Sequence, residues 1–332
     1  MSRALTGIRP TGELTIANYV GAMQPMVEMQ DTYDGPVNVF VADLHGLTDQ
    51  EPDVVNGMRM DTARSLVAAG IDPERTTVYL QSQIQEATES LAGVLGRHAK
   101  VSELLLIPTL KEKLKYGQAA ESATLALLSY PVLMAADICI QDATDVPVGK
   151  DQLPHIEFTR HVARRFNQTY GKGETTLVEP AILATRAIRI AALNGEGKMS
   201  KSNPTSAIFL KDTPDMVAAK VKRAPTAHPG EMSPALESHF TLAEALCTTP
   251  EQKAELESIR AAHTDGQKVM GSFKDFLTDR TNTFLGQFQQ RYNNLTDAEV
   301  KGILRDGGAR AEDQARQVLS RVRSAMGLVD FL

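Results

Sequence analysis

Tryptophan is absent from the 332 residues, and phenylalanine and tyrosine bring the aromatic content to only 5%. Cysteine is nearly absent as well. Cys139 and Cys247 stand alone, with no second thiol or histidine at a metal-ligand spacing, which excludes a disulfide scaffold and a zinc site and reads as two reduced apolar side chains. No stretch approaches the roughly 18 apolar residues that a membrane span needs. The opening MSRALTGIRPTGEL lacks the apolar segment of a signal peptide, so a cytoplasmic setting is expected. Nor is there an excess of positive charge: Lys+Arg 35 against Asp+Glu 41 leaves a net −6, and any nucleic acid partner has to be met by a local basic patch. Internal repeats and low-complexity segments are also missing.

What is present is ordinary for a globular chain, with 42% hydrophobic and 23% charged residues, and the length exceeds what one core usually serves. Short apolar runs at 4–8, 37–42 and 76–80 read as strands. Between them lie helical spacings at 16–29, interrupted by Pro25, and at 52–69, ending at Gly70; another follows at 86–97. This alternation predicts an α/β fold with a doubly wound, Rossmann-like parallel sheet. From 102 to 170 the pattern is mostly helical apart from a strand-like 146–149, which implies a helical insertion over about 102–145. A strand is expected near 187–191, just before a Gly-, Lys- and Ser-rich loop at 194–203. From Thr213-Pro214 onward the chain reads as helices broken at Asn293-Asn294 and Gly307-Gly308. The division expected is a catalytic domain over 1–205 and an α-helical domain over 206–332.

The loop contains Lys198-Met199-Ser200-Lys201-Ser202. Two flexible ammonium groups and two hydroxyls suit a polyphosphate whose charge migrates during reaction, although the same pentapeptide also reads as a solvated basic loop. In an open parallel sheet, ligands sit beyond the carboxyl ends of the strands, so the turn after Ile8 should approach such a ligand. Thr15 and Asn18, at the next helix start, can donate to phosphate oxygens, and Thr15 reads equally well as a helix cap. Tyr130, Met134 and Asp137 recur at helical spacing. Asp137 lies between Ala136 and Ile138 and needs a donor, because a buried unpaired carboxylate costs several kcal/mol. Gly149, Lys150 and Asp151 follow a strand end, where backbone N–H groups and a carboxylate can meet a ribose. No Walker loop or dinucleotide fingerprint competes.

The word KMSKS is the second signature of class I aminoacyl-tRNA synthetases, and Thr15-Ile16-Ala17-Asn18 stands where their first signature falls. With Gly7-Ile8-Arg9-Pro10-Thr11-Gly12, Asp43-Leu44-His45, Lys111-Glu112-Lys113, the run from Tyr130 to Ile138, Val146 to Gln152, His155-Ile156-Glu157 and Ala325 to Leu328, the chain resembles the bacterial-type tryptophanyl-tRNA synthetases along its whole length. That resemblance implies activation of L-tryptophan by ATP, carrying Mg2+ without a dedicated protein metal site, and transfer of tryptophan to tRNA(Trp). It implies a homodimer, a cytoplasmic location and an anticodon-binding role for the helical domain. It assigns Thr15, Asn18, Lys113, Lys198, Ser200 and Lys201 to catalysis. ATP would meet Arg9, Pro10, Thr11, Ala17, Asn18, Gly149, Lys150, Asp151, Ile190 and the loop from Lys198 through Met199, Ser200 and Lys201 to Ser202. Tryptophan would meet Gly7, His45, Tyr130, Met134, Asp137, Val146, Val148 and Gln152, with Asp137 on the indole nitrogen. Ala17, Leu5 and Arg9 depart from the usual glycine, aromatic and glutamine. A tyrosine-specific relative and a non-catalytic paralogue are the rival readings. Lys220, Lys222, Arg223, Arg316, Arg321 and Arg323 are the candidate tRNA phosphate contacts.

Overall fold

The computed structural model describes residues 2–10, 12–115, 123–184, 188–200 and 203–328, without the side chains of Lys115 and Lys150. β1 (Ala4–Ile8), β2 (Val37–Val41) and β3 (Thr76–Leu80) form at the three apolar runs, and β2 is buried at every position, as a strand covered on both faces must be. Between β1 and β2, α1 (Ile16–Asn18) passes through a π-helical turn, Tyr19–Met23, into α2 (Gln24–Thr32). Pro25 stands in the first turn of α2, where its missing N–H is tolerated, so the helix is interrupted just before it. After β2 come α3 (Asp43–Gly46) and α4 (Pro52–Ala69). After β3 come α5 (Gln85–Gly96) and the helices of the insertion, α6 (Val101–Leu104), α7 (Pro108–Lys115) and α8 (Leu125–Ile140). β4 (Asp145–Pro147), α9 (Leu153–Tyr170) and β5 (Ala181–Leu183) complete the sheet half.

All strand pairs are parallel, and the order is β3-β2-β1-β4-β5. β1 is in register with β2 from Ala4–Val37 to Ile8–Val41, whereas β1 and β4 share one pair, Ala4 with Asp145. The winding direction reverses between β1 and β4, and beyond that single pair no ladder joins them. A crevice is therefore expected there. The strand expected at 187–191 is corrected: residues 188–191 form no strand, and Ala191 instead bridges Lys198 antiparallel at the base of the loop. The fifth strand is β5, whose three residues are too few to show an alternation in sequence.

The remaining helices are α10 (Pro214–Arg223), α11 (Pro234–Ala245), α12 (Pro250–Thr264), α13 (Met270–Asn294) and α14 (Asp297–Ala325). Thr213, Ser233, Thr249 and Thr296 cap α10, α11, α12 and α14 with their hydroxyls, the local reason these helices start where they do. The break expected at Gly307-Gly308 is a second correction. α14 runs through both glycines, and a Cβ on Gly307 would lie 1.9 Å from the Val78 carbonyl oxygen. A Cβ on Gly308 would instead meet the Gln83 amide just past β3, so the two missing side chains let the helix cross the edge strand and the turn after it closely. Val300 and Leu304 join the core on one sheet face, with Val39, Val41 and the helices α10 to α13. Ala311, Ala315, Val318 and Val322 join the other, with Phe40, Tyr79, α5, α8 and α9. The C-terminal helices thus share the sheet's core. Both cysteines are free thiols.

Candidate active site

The crevice between β1 and β4 opens into a cavity of about 670 Å³ lined by Gly7, Arg9, Phe40, His45, Thr109, Lys113, Tyr130, Met134, Asp137, Val146, Val148, Gly149, Gln152 and His155, among others. At its floor Asp137, only 3% exposed, is not left unpaired. His45 Nε2 lies 2.9 Å from Oδ2, and the Gln81 amide donates to Oδ1 at 2.8 Å and Oδ2 at 2.9 Å. Gln81 is fully buried and accepts in turn from the His45 backbone N–H at 3.2 Å. Burial pushes the Asp137 carboxyl above its usual range, while the hydrogen bonds from His45 and Gln81 oppose the rise. A carboxylate has about four acceptor directions, so Oδ1 keeps room for a further donor from a ligand.

Met134, Val146, Val148 and Phe40 make the walls apolar. A Cβ on Gly7 would fall 2.7 Å from the Phe40 ring, so glycine is what lets that ring flank the cavity. On the opposite side three helices meet in one hydrogen-bonded triangle: Thr109 Oγ1 on α7 lies 2.8 Å from the Tyr130 hydroxyl on α8, and His155 Nε2 on α9 lies 3.0 Å from that hydroxyl and 3.3 Å from Thr109. Burial raises the Tyr130 hydroxyl and lowers His155 to about 4, so this imidazole is neutral at physiological pH.

At the mouth, Asp49 binds Arg9 and accepts from Lys113 Nζ at 2.9 Å, while Lys113 also stands 5.1 Å from the centroid of the Tyr130 ring. Gln152 donates to Asp151 at 2.7 Å. Thr15 is buried and caps α1. Its Oγ1 and backbone N–H both donate to Asn18 Oδ1 at 2.9 Å, which commits the oxygen of that exposed amide and leaves its NH2 as the half able to meet a phosphate. Leu14 and Ile16 hydrogen-bond to Leu210 and Ile208, which ties the start of α1 to the chain that follows the signature loop. Within the loop Lys198 is exposed, Met199 is buried and Ser200 half-buried; Ile190 lies beneath it in the core. Pro10 is buried and Ala17 half-buried beside β1, and neither lines the cavity. Thr11, Lys201 and Ser202 lie outside the described residues, and the side chain of Lys150 is not described.

Reasoning from sequence missed Gln81, Asp49, Thr109 and Phe40 and gave His155 no role. Gln81 carries the one available signal, a polar residue at the carboxyl end of a buried strand. Three of the basic residues singled out for tRNA have partners within the chain, Arg316 through an exposed pair with Glu312 at 2.6 Å. Lys220 Nζ donates to the buried Asp212 at 2.6 Å, and Arg321 binds the Thr176 carbonyl at 2.8 Å and Asp142 at 2.5 Å.

Residues 1–286 match the sequence profile of the family described as tRNA synthetases class I (W and Y). The tryptophan–tRNA ligase of Gloeobacter violaceus is 36% identical over 98% of this chain and 96% of its own length, and that of Caldanaerobacter subterraneus is 34% identical over 99% of each. The chain belongs to the class I tryptophan–tRNA ligases. Among solved structures, this ligase superimposes on the tryptophanyl-tRNA synthetase of Mycoplasma pneumoniae with a TM-score of 0.83 at 29% identity, over 99% of each chain. The Campylobacter jejuni synthetase, described as complexed with ADP and tryptophan, gives 0.81 at 27% identity over 98% of this chain and 100% of that one. The ligase activity follows from this membership; the tyrosine and non-catalytic readings are set aside.

Proposed function

We propose that the cavity between β1 and β4 is where this ligase activates tryptophan, with the indole seated among Met134, Val146 and Val148 and its N–H donated to Asp137. The observation that carries the reading is the Asp137 carboxylate, fixed by Gln81 and His45 at the floor of the cavity, below the apolar walls of Met134, Val146, Val148 and Phe40. An indole N–H is a donor only, which matches an acceptor held at the end of a flat apolar slot. Tyr130, Gln152, His45 and the backbone at Gly7 then face the amino acid's ammonium and carboxylate. ATP lies above, between the turn after β1, the Gly149-to-Asp151 turn and the signature loop, with Arg9, Lys113 and Lys198 toward its phosphates; a role for Lys201 there rests on the family motif alone. Mg2+ arrives with the nucleotide and supplies charge neutralisation on the phosphates.

In the first step a carboxylate oxygen of tryptophan forms a bond to the α-phosphorus while the α–β anhydride bond breaks, and pyrophosphate leaves with the electron pair. In the second, the terminal ribose hydroxyl of tRNA(Trp) attacks the tryptophanyl carbonyl and AMP leaves. No protein nucleophile is required; orientation and charge stabilisation carry the rate. The helical segment 206–332 is read as the part that meets the anticodon, and the protein as a homodimer working in the cytoplasm, where ATP and tRNA are found. Among the described residues no helix is long and apolar enough to cross a membrane. Val101, Leu106 and Leu125 of the insertion, 60%, 68% and 79% exposed, are the apolar positions for a subunit contact. Pyrophosphate exchange measured with each amino acid in turn tests the reading: only tryptophan should support it, and exchange with tyrosine at a comparable kcat/KM would overturn the pocket assignment.

A further inference from the structure

Two cations at the cavity mouth share one carboxylate. Asp49 accepts from Lys113 Nζ through Oδ2 at 2.9 Å and from Arg9 Nη2 through Oδ1. The three residues come from separate parts of the chain: Arg9 from the turn after β1, Asp49 from the turn after α3, and Lys113 from α7 of the insertion. Arg9 and Lys113 both line the cavity. Asp49 is 38% exposed, so both ion pairs are open to water and exchangeable. Among the described residues the buried Arg9 Nε finds no acceptor, so Asp49 leaves part of that guanidinium's donor capacity unused. Burial acts to raise the Asp49 carboxyl, but the hydrogen bonds and charges of Arg9 and Lys113 hold it below its usual range, and it stays charged through neutral pH. Carboxylate and phosphate oxygens are acceptors of the same sign for the same donors, so they compete for these two side chains.

We propose that Asp49 is a positioning residue of the activation step, which gathers Arg9 and Lys113 at the mouth and exchanges them with the polyphosphate. The inference rests on the assignment of Arg9 and Lys113 to the phosphates of ATP. A fixed negative charge in contact with both cations opposes a ligand that carries several, and it weakens the ground-state binding of ATP and the hold on departing pyrophosphate. The cations meanwhile remain gathered where charge develops on the leaving group, so their attraction is spent on the transition state rather than on the bound substrate. As pyrophosphate leaves, the same competition returns them to Asp49.

The test uses the full chain with Asp49→Asn, Asp49→Glu, Lys113→Ala and Arg9→Ala. Affinity for α,β-methylene-ATP, whose α–β bridge cannot be cleaved, is measured by calorimetry, and the KM values for ATP, pyrophosphate and tryptophan by exchange. Asp49→Asn should tighten α,β-methylene-ATP and lower the pyrophosphate KM by about threefold to tenfold, the effect of losing one partly exposed charge. The tryptophan KM should not move, and Asp49→Glu should reverse the shift by restoring the charge. Unchanged or weaker affinity for α,β-methylene-ATP and pyrophosphate in Asp49→Asn, with Lys113→Ala still impaired, overturns the exchange role. A parallel rise of all three KM values with a lower Tm in Asp49→Asn also overturns it, as the mark of a purely structural residue. If Lys113→Ala and Arg9→Ala both leave ATP and pyrophosphate untouched, the phosphate assignment fails, and that failure is visible independently of Asp49.

Discussion

At Asp137, removing the carboxylate takes away the acceptor proposed for the indole and leaves Gln81 and His45 without theirs. Asp137→Ala should therefore cost about 1–3 kcal/mol in kcat/KM for tryptophan, with a smaller effect on ATP. Steady-state exchange kinetics check this, and an unchanged tryptophan kcat/KM would remove Asp137 from the pocket. His155 makes a different kind of prediction. Burial lowers its pKa from the ordinary 6.5 to about 4, helped by His45 and Lys113 and opposed by Asp151. The folded protein refuses a proton that the unfolded chain accepts below 6.5, so stability is intact above that pH and falls as pH drops toward 4. The full loss amounts to roughly 3 kcal/mol. Urea unfolding at a series of pH values should show that slope, and His155→Gln should flatten it. Lys198 is exposed on the signature loop, and the role proposed for it is to hold charge that develops in the transition state. Lys198→Ala should lower the rate of adenylate formation more than it weakens tryptophan binding; a change confined to the tryptophan KM would contradict the clamp.

The element that most changes the picture drawn from sequence is α14. It crosses the edge of β3 at Gly307 and Gly308, and Gln83, just beyond β3, donates to its Leu304 carbonyl at 2.9 Å. Gln141, at the end of α8, donates to its Ala311 carbonyl at 2.9 Å. The helix is thereby fastened near both Gln81 and Asp137. Gly307→Ala places a methyl against backbone that cannot yield, and it should destabilise the protein by about 1–3 kcal/mol or more. Thermal or urea unfolding reads this directly, and an unchanged midpoint would mean that α14 stands off the sheet in solution. α13 meets the residue that follows the first signature: the Phe284 and Tyr19 ring centroids lie 4.1 Å apart, with the planes tilted by 35°.

For the whole molecule, the net charge of −6 leaves tRNA binding to local patches. Lys220 is withdrawn from that patch, because its ammonium is 12% exposed and paired with Asp212, itself 2% exposed. Breaking such a pair costs about 3–5 kcal/mol, so Lys220→Ala should lower the Tm and reduce every activity together. Lys222 and Arg223 are exposed on the same helix. Neutralising only these two should weaken aminoacylation while sparing tryptophan-dependent pyrophosphate exchange, and equal loss in both assays would show that they support the fold instead. Light scattering of the purified protein should give a dimer; a fully active monomer would overturn the subunit assignment.

The sequence by itself determined the elements whose causes are local. Three apolar runs became β1 to β3, hydroxyl residues at helix starts became caps, and KMSKS with the words in family order sufficed for the chemistry. It also marked Asp137, because a carboxylate in an apolar helix violates a rule that needs no structure to state. Tertiary structure alone decided what answers that carboxylate. Gln81 lies 56 positions from Asp137 and His45 lies 92 away, and nothing local to any of the three announces the others. The same holds for Asp49, 40 positions from Arg9 and 64 from Lys113. Gly307 and Gly308 show the limit most plainly. Glycine weakens a helix by its own propensity, so the sequence reads as a break, yet contact with β3 makes its missing side chain the condition for packing. Local preferences fix elements, and contacts between distant residues fix which of those elements meet.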